Sequence, residues 1–279
     1  MANKFIALFS FIPRYLQAWF KMGLQSFKIN LKCKFSKDFS VFNEDLQKNS
    51  FLDLGQYSSD KIPQLKNELE ELNKNYQPDA HKTFNAYDNL LSGQNVSCDS
   101  IMFKIALDKN ILGLVSSYFN EPPTLHGIRL LKSTRHSNNG WDRDQLWHRD
   151  RYAKKQLRLF IYISSCTLQN GPFQYIRKTL KSQCITFFNQ FFRFTDSFLN
   201  RCQLDKEVQF ITGEQGKTFL IDVGRLSHCG SRVFNGERFA FSVIYTNKYP
   251  YVPIDNMINE KKSQLKKLYS LPIQKGALS

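Results

Sequence analysis

The run L-R-L-F-I-Y-I-S at residues 157–164 is short and rich in β-branched and aromatic residues, the composition of a strand. Four further runs of this kind follow it: G-P-F-Q-Y-I-R-K-T at 171–179, V-Q-F-I-T at 208–212, K-T-F-L-I-D-V at 217–223 and R-F-A-F-S-V-I-Y-T at 238–246. Turn residues separate them. Short strands at this spacing predict a β-sandwich or jelly roll. Upstream, L-H-G-I-R-L-L-K-S at 125–133 reads as one more strand, and residues 134–145, rich in Ser, Asn, Gly and charge, read as a loop.

Before the strands the period changes from two to 3.6. Ile62, Leu65, Leu69 and Leu72 place a helix over 60–76, and S-I-M-F-K-I-A-L-D-K-N-I-L-G-L-V-S-S-Y-F predicts another over 100–119, stopped by Glu121, Pro122 and Pro123. Nearer the start, Leu16, Trp19, Phe20, Leu24 and Phe27 share a helical face opposite Arg14, Gln17, Lys21 and Gln25. Residues 5–27 thus read either as a basic amphipathic surface helix for peripheral contact with an anionic membrane, or as a helix packed on the domain.

The 279 residues carry 39 Lys and Arg against 24 Asp and Glu, a net charge of +15, unevenly spread. Residues 1–37 hold seven basic and no acidic side chains, 38–100 five against eleven, and 101–279 27 against 13, so the basic body is the C-terminal two-thirds. That balance favours anionic partners, yet no aromatic-interleaved motif specifies nucleic acid. Six cysteines, at 33, 98, 166, 184, 202 and 229, form neither a C-x-x-C pair nor a zinc-type pattern with histidine, and read as reduced thiols. No apolar run reaches the length of a membrane span, and F-I-A-L-F-S-F-I at 5–12 ends at Pro13 and Arg14. The expected compartment is the cytoplasm, with membrane association resting on the N-terminal helix.

Of five histidines, only His148 begins an H-x-D triplet, with Arg149 and Asp150. Residues i and i+2 of an extended chain project to one side, so this imidazole and carboxylate can grip one metal ion. Eighty residues later His228 can supply a third ligand where the chain returns across a jelly roll, and Arg238 opens the last strand ten residues on. Two histidines and one carboxylate on a single face leave three positions of an octahedral ion open, which suits non-haem Fe(II) with a chelating co-substrate and O2. The arginine fork matches a carboxylate such as the distal one of 2-oxoglutarate. The alternative for Arg238 is a structural strand-end ion pair with Glu237 or another acid. Arg149, Arg151, Lys154, Lys155 and Arg158 form a basic run that starts between the ligands; it reads as a receptor for a substrate phosphate or carboxylate, or as a solvated loop face.

These ordered pieces, W-H-x-D ending at Asp150, N-G-P-F-Q-Y-I at 170–176, L-x-H at 226–228 and Arg238, resemble the phytanoyl-CoA dioxygenase family of Fe(II)/2-oxoglutarate oxygenases over roughly residues 100–250. The resemblance implies a mainly β fold with flanking helices, a double-stranded β-helix or cupin-like jelly roll. It also implies iron held by His148, Asp150 and His228, and 2-oxoglutarate held by Arg238. By the same resemblance Tyr162 falls near an aromatic beside the co-substrate, and Lys132 ends a run like the one preceding the family's histidine. The implied reaction hydroxylates a C–H bond of a small organic substrate with release of succinate and CO2, and Asp150 argues against the related halogenases, which lack that carboxylate. In place of the family's proline-glycine-serine-histidine turn stand Arg177, Lys178, Thr179 and Leu180, and Ala240 replaces the serine of an R-x-S pairing, which leaves the substrate open.

The expected organisation is a basic arm at 1–37, a single oxygenase domain at 38–250 and a basic tail at 251–279. Within the domain, a helical flank covers 38–120 and a β-helix core covers 124–246 with a Phe-rich helical insertion at 180–205. In the insertion Phe187, Phe191, Phe194 and Phe198 share a face, and Phe188 and Phe192 form a neighbouring stripe that lines either the substrate mouth or a wider core contact. The competing function is a non-catalytic basic module, docking on membrane or nucleic acid, with a vestigial metal site.

Overall fold

The computed structural model describes residues 40–247, apart from 58–59, 78–86, 93–95, 98, 136–140, 142, 180–181 and 183–192. In chain order the elements are α1 (Ser40–Asn49), β1 (Phe51–Gln56), α2 (Lys61–Asn75), β2 (Asp88–Asn89), α3 (Ile101–Ala106), α4 (Lys109–Phe119) and β3 (Thr124–Thr134). They continue with β4 (Gln156–Tyr162), β5 (Phe173–Ile176), α5 (Asp196–Arg201), β6 (Val208–Ile211), β7 (Lys217–Ile221), β8 (His228–Cys229) and β9 (Glu237–Thr246). A six-stranded sheet in the order β1-β7-β4-β9-β3-β2 faces a three-stranded sheet in the order β6-β5-β8, and all pairings are antiparallel. This is the jelly roll expected from the strand spacing.

The large sheet is buried on both faces, and its strands divide their side chains between two cores. Leu157, Leu159 and Ile161 of β4 and Phe241, Val243 and Tyr245 of β9 point outward onto Leu65 and Leu69 of α2, Ile105 of α3 and Val115 and Phe119 of α4. The Tyr245 hydroxyl, buried there, donates to the Ala106 carbonyl. The alternate residues turn into the lumen between the sheets, where Phe160, Tyr162, Phe173, Phe219, Ile221 and Ala240 form a second cluster. Polar residues share that inner face: Arg158 on β4, Arg238 and Ser242 on β9, Arg129 and Ser133 on β3.

The six strands read from sequence are all present, the second of them shortened to Phe173–Ile176 between Pro172 and Arg177. The helix expected over 100–119 is two helices. Asp108 accepts hydrogen bonds from the backbone N–H groups of Asn110 and Ile111, and this cap opens α4 and breaks the ladder after Ala106. In the expected insertion, α5 is capped by Thr195, and Phe194 is buried against Trp147. The arm at 5–27, the tail at 251–279 and Phe187, Phe188, Phe191 and Phe192 lie outside the described residues.

Candidate metal centre

His148 and His228 face each other across an antiparallel bridge, each N–H donating to the other's carbonyl at 2.9 and 2.8 Å. In this hydrogen-bonded pair the two rings lie 4.4 Å apart between centroids. Asp150, two residues beyond His148, is fixed by its own N–H to the Val223 carbonyl and by Gln156 Nε2, which donates to the Asp150 carbonyl at 2.6 Å. The carboxylate lies 3.6 Å from His148 Nε2 and 4.0 Å from His228 Nε2, and the three groups offer ligand atoms all within 4.8 Å of one another.

The backbone selects the tautomers. Nδ1 of His148 donates to the Leu146 carbonyl at 2.8 Å and Nδ1 of His228 to the Leu226 carbonyl at 3.1 Å, so Nε2 is the nitrogen that each ring turns toward Asp150. Burial, with His148 beside it, pushes the His228 imidazole down to about 3, which leaves the ring neutral at physiological pH. Phe173 stacks on that ring at 5.2 Å and 15°. Two nitrogens and a carboxylate converging in a buried lumen can hold a divalent ion and leave open positions on it.

Arg238 lies on the same inner face, 3% exposed. Its Nη2 donates to Ser133 Oγ at 3.1 Å and Ser231 Oγ at 3.2 Å, its guanidinium sits 5.6 Å over the Tyr162 ring, and its Nε is buried with no hydrogen-bond partner. No carboxylate among the described residues pairs with it. Glu237 turns the other way and meets Lys132 at 3.5 Å, so the strand-end ion pair weighed for Arg238 does not form. A buried guanidinium lacking an anion is a receptor for one.

The other expected site residues divide. Tyr162 lies beneath Arg238, but its hydroxyl is occupied by backbone, donating to the Ile211 carbonyl and accepting from the Phe173 N–H. Lys132 alternates with Leu131 and Ser133, which face the lumen, and so projects to the outer side, where its Nζ donates to Asn73 of α2. His126 packs on Tyr152 and takes no part in the cluster. Cys229 points away from the ligands into a core with Trp147, as the alternation of an extended chain requires.

Sequence reasoning passed over three neighbours of the ligands. Ser133 and Ser231 carry no motif; only the register of β3 against β9 reveals Ser133, opposite Arg238. Asp144 places Oδ1 3.8 Å from His148 Nε2 and accepts from Arg193 at 2.9 Å and from the Tyr87 hydroxyl at 3.3 Å. Burial acts to raise the Asp144 carboxyl, but His148 and Arg193 outweigh it and hold it below the usual carboxylate range. Its spacing of four before His148 is the one signal that could have marked it.

The chain matches no protein-family model and no curated protein. Its fold is similar to several solved structures. EctD from S. alaskensis with bound Fe shares 15% identity, covering 76% of this chain and 79% of that one at a TM-score of 0.54. The non-haem α-ketoglutarate-dependent epimerase SnoN from nogalamycin biosynthesis shares 10%, covering 74% and 81% at 0.52. HygX from Streptomyces hygroscopicus with nickel, 2-oxoglutarate and hygromycin B bound shares 15%, covering 77% and 88% at 0.51.

Proposed function

We propose that this protein is an Fe(II)- and 2-oxoglutarate-dependent oxygenase, related to the phytanoyl-CoA dioxygenase type, that hydroxylates a C–H bond of a small organic substrate. One observation carries the reading: two Nε2 lone pairs and a carboxylate converge inside a jelly roll whose lumen also holds a buried arginine with no carboxylate of its own. The similar solved structures, which carry Fe, or nickel with 2-oxoglutarate, support it through the fold.

The residues fit both groups. The Nδ1 contacts of His148 and His228 leave Nε2 of each ring for a metal, Asp150 supplies one negative charge, and the orphaned Nε of Arg238 would give the distal carboxylate of 2-oxoglutarate a donor. When bound, iron and 2-oxoglutarate supply oxidative attack on a C–H bond using O2, with release of succinate and CO2. Ser133 and Ser231 hold the Arg238 fork in one orientation, and the Tyr162 ring supports its flat face. Phe173, lying on His228, and Phe160 and Phe219 behind it keep water from that side of the ligands. By the family resemblance a halogenase would lack this carboxylate, so the presence of Asp150 favours hydroxylation over halogenation.

Two measurements test the reading. Under air, the protein should convert 2-oxoglutarate to succinate only when Fe(II) is added, and a metabolite profile with and without active protein should show a product that gains one oxygen. Succinate formation that ignores Fe(II) contradicts the enzyme class. A product that is an isomer of its precursor moves the reaction to the epimerase chemistry named for SnoN, and one that has only lost two hydrogens contradicts hydroxylation.

A further inference from the structure

The lumen holds a second buried guanidinium that the metal and co-substrate leave unused. Arg158, on the inner face of β4, is 6% exposed. Its Nε donates to Ser242 Oγ at 2.8 Å, its Nη1 reaches Asp150 Oδ2 at 3.4 Å, and its flat face lies 5.0 Å from the Phe160 ring. Its Nη2 is buried with no hydrogen-bond partner. An unmade hydrogen bond from a charged, buried donor costs more than one from a neutral group, so this atom calls for an acceptor.

The charges inside the barrel say what kind. Arg129 sits directly opposite Ser242 across the β3–β9 ladder, on the same inner face, and donates to the hydroxyls of Tyr87 and Tyr152. With a divalent ion and 2-oxoglutarate in place, the ion and Arg238 are balanced by Asp150 and the two co-substrate carboxylates. Arg158 then remains as positive charge beside the reacting centre. Among the described residues the other nearby carboxylate is Asp144, which Arg193 already pairs.

We infer that Arg158 is the receptor for an anionic group, a carboxylate or phosphate, on the primary substrate, with Arg129 and the Tyr152 hydroxyl behind it. This rests on the oxygenase reading for its neighbours but not for its own geometry. Since Arg158 touches Asp150, a bound anion would anchor the substrate next to the metal ligands, and neutral analogues would leave a buried charge unmet.

The test uses the full chain loaded anaerobically with Mn(II) and 2-oxoglutarate, titrated calorimetrically with inorganic phosphate, with acetate, and with methyl acetate as the neutral control. Wild type should bind one phosphate or acetate per chain and no methyl acetate. Arg158→Gln should weaken anion binding by about tenfold or more, with Arg158→Lys intermediate, because the amine keeps the charge and loses the fork. Mn(II) should bind Arg158→Gln at least as tightly as wild type, since a cation has been removed from beside the ligands. Equal anion affinity in wild type and Arg158→Gln overturns the inference, as does absence of anion binding to loaded wild type. A tenfold loss of 2-oxoglutarate affinity in Arg158→Gln also overturns it, by assigning the guanidinium to the co-substrate. Should Arg158→Gln fail to fold, the Arg158→Lys comparison decides alone. If wild type takes up neither Mn(II) nor 2-oxoglutarate, the oxygenase reading falls separately, and the same titrations of metal-free wild type and Arg158→Gln still decide the role of Arg158.

Discussion

Two carbonyl oxygens, of Leu146 and Leu226, determine which nitrogen each histidine offers at the centre. That selection makes the site specific to its residues. His148→Ala should abolish stoichiometric Fe(II) binding with a far-ultraviolet spectrum unchanged from wild type, because a ligand is lost but little core. Full iron occupancy, measured by metal analysis after desalting, would count against the assignment. Arg238→Lys keeps the charge but loses the fork that Ser133 and Ser231 hold, so the apparent affinity for 2-oxoglutarate should fall about tenfold or more, taking ~1.5–3 kcal/mol for a charged hydrogen bond. Fe(II) binding should be unaffected in that variant. The candidate triad of His148, Asp150 and His228 was legible because its chemistry constrains residue type and order. Lys132 misled because it lies one residue away from Ser133, and a one-residue offset on a strand changes the face.

At the scale of elements, short polar segments decide where regular structure begins. Asp108 caps α4 and pairs with Lys61 at 2.9 Å. Burial acts to raise its carboxyl, but the hydrogen bond from Lys61 and the N–H groups it caps prevail and hold it below the usual carboxylate range. A carboxyl depressed in the folded state stabilises above its unfolded pKa, and loses that contribution as pH falls through the folded value. Asp108→Ala should therefore cost about 1–2 kcal/mol in urea unfolding at neutral pH, and much less at about pH 2. Gly171 begins the turn into β5 at φ +80°, and a Cβ there would lie 2.8 Å from Val233 Cγ2. Gly171→Ala should lower thermal stability by ~1–2 kcal/mol or more and loosen Phe173 on His228, seen as weaker metal binding. An unchanged melting temperature would show the turn to be tolerant. Runs rich in β-branched and aromatic residues announced themselves in sequence, whereas β8 has two residues and β1 carries Asp53, Gln56 and a register shift between Asp53 and Gly55, so neither has a pattern to read.

For the molecule as a whole, one doubly covered sheet separates a helix-packed core from a lumen that combines aromatic walls with buried arginines. Phe219 shows how far the two functions overlap. It is fully buried, stacks on Phe160 at 5.0 Å and meets Tyr162 and Phe173, the residues that carry Arg238 and His228. Phe219→Ala should cost about 3–5 kcal/mol in denaturant unfolding, the usual range for an emptied aromatic core position. A loss under 1 kcal/mol would mean that the lumen collapses around the gap. The architecture was legible from short β-branched and aromatic runs and their spacing; the polar furnishing of the lumen was legible only in part, since Arg158 stood out within a basic run, whereas Ser133, Ser231 and Asp144 lie in segments whose neighbours are fixed only by the pairing of distant strands. The central claim, that the lumen binds iron and 2-oxoglutarate together, is tested most directly by anaerobic titration of the protein with Fe(II) and 2-oxoglutarate while recording the visible spectrum. The predicted result is a weak charge-transfer band that saturates at one of each per chain and is missing in His228→Ala; no band in wild type, or an equal band in the variant, would contradict it.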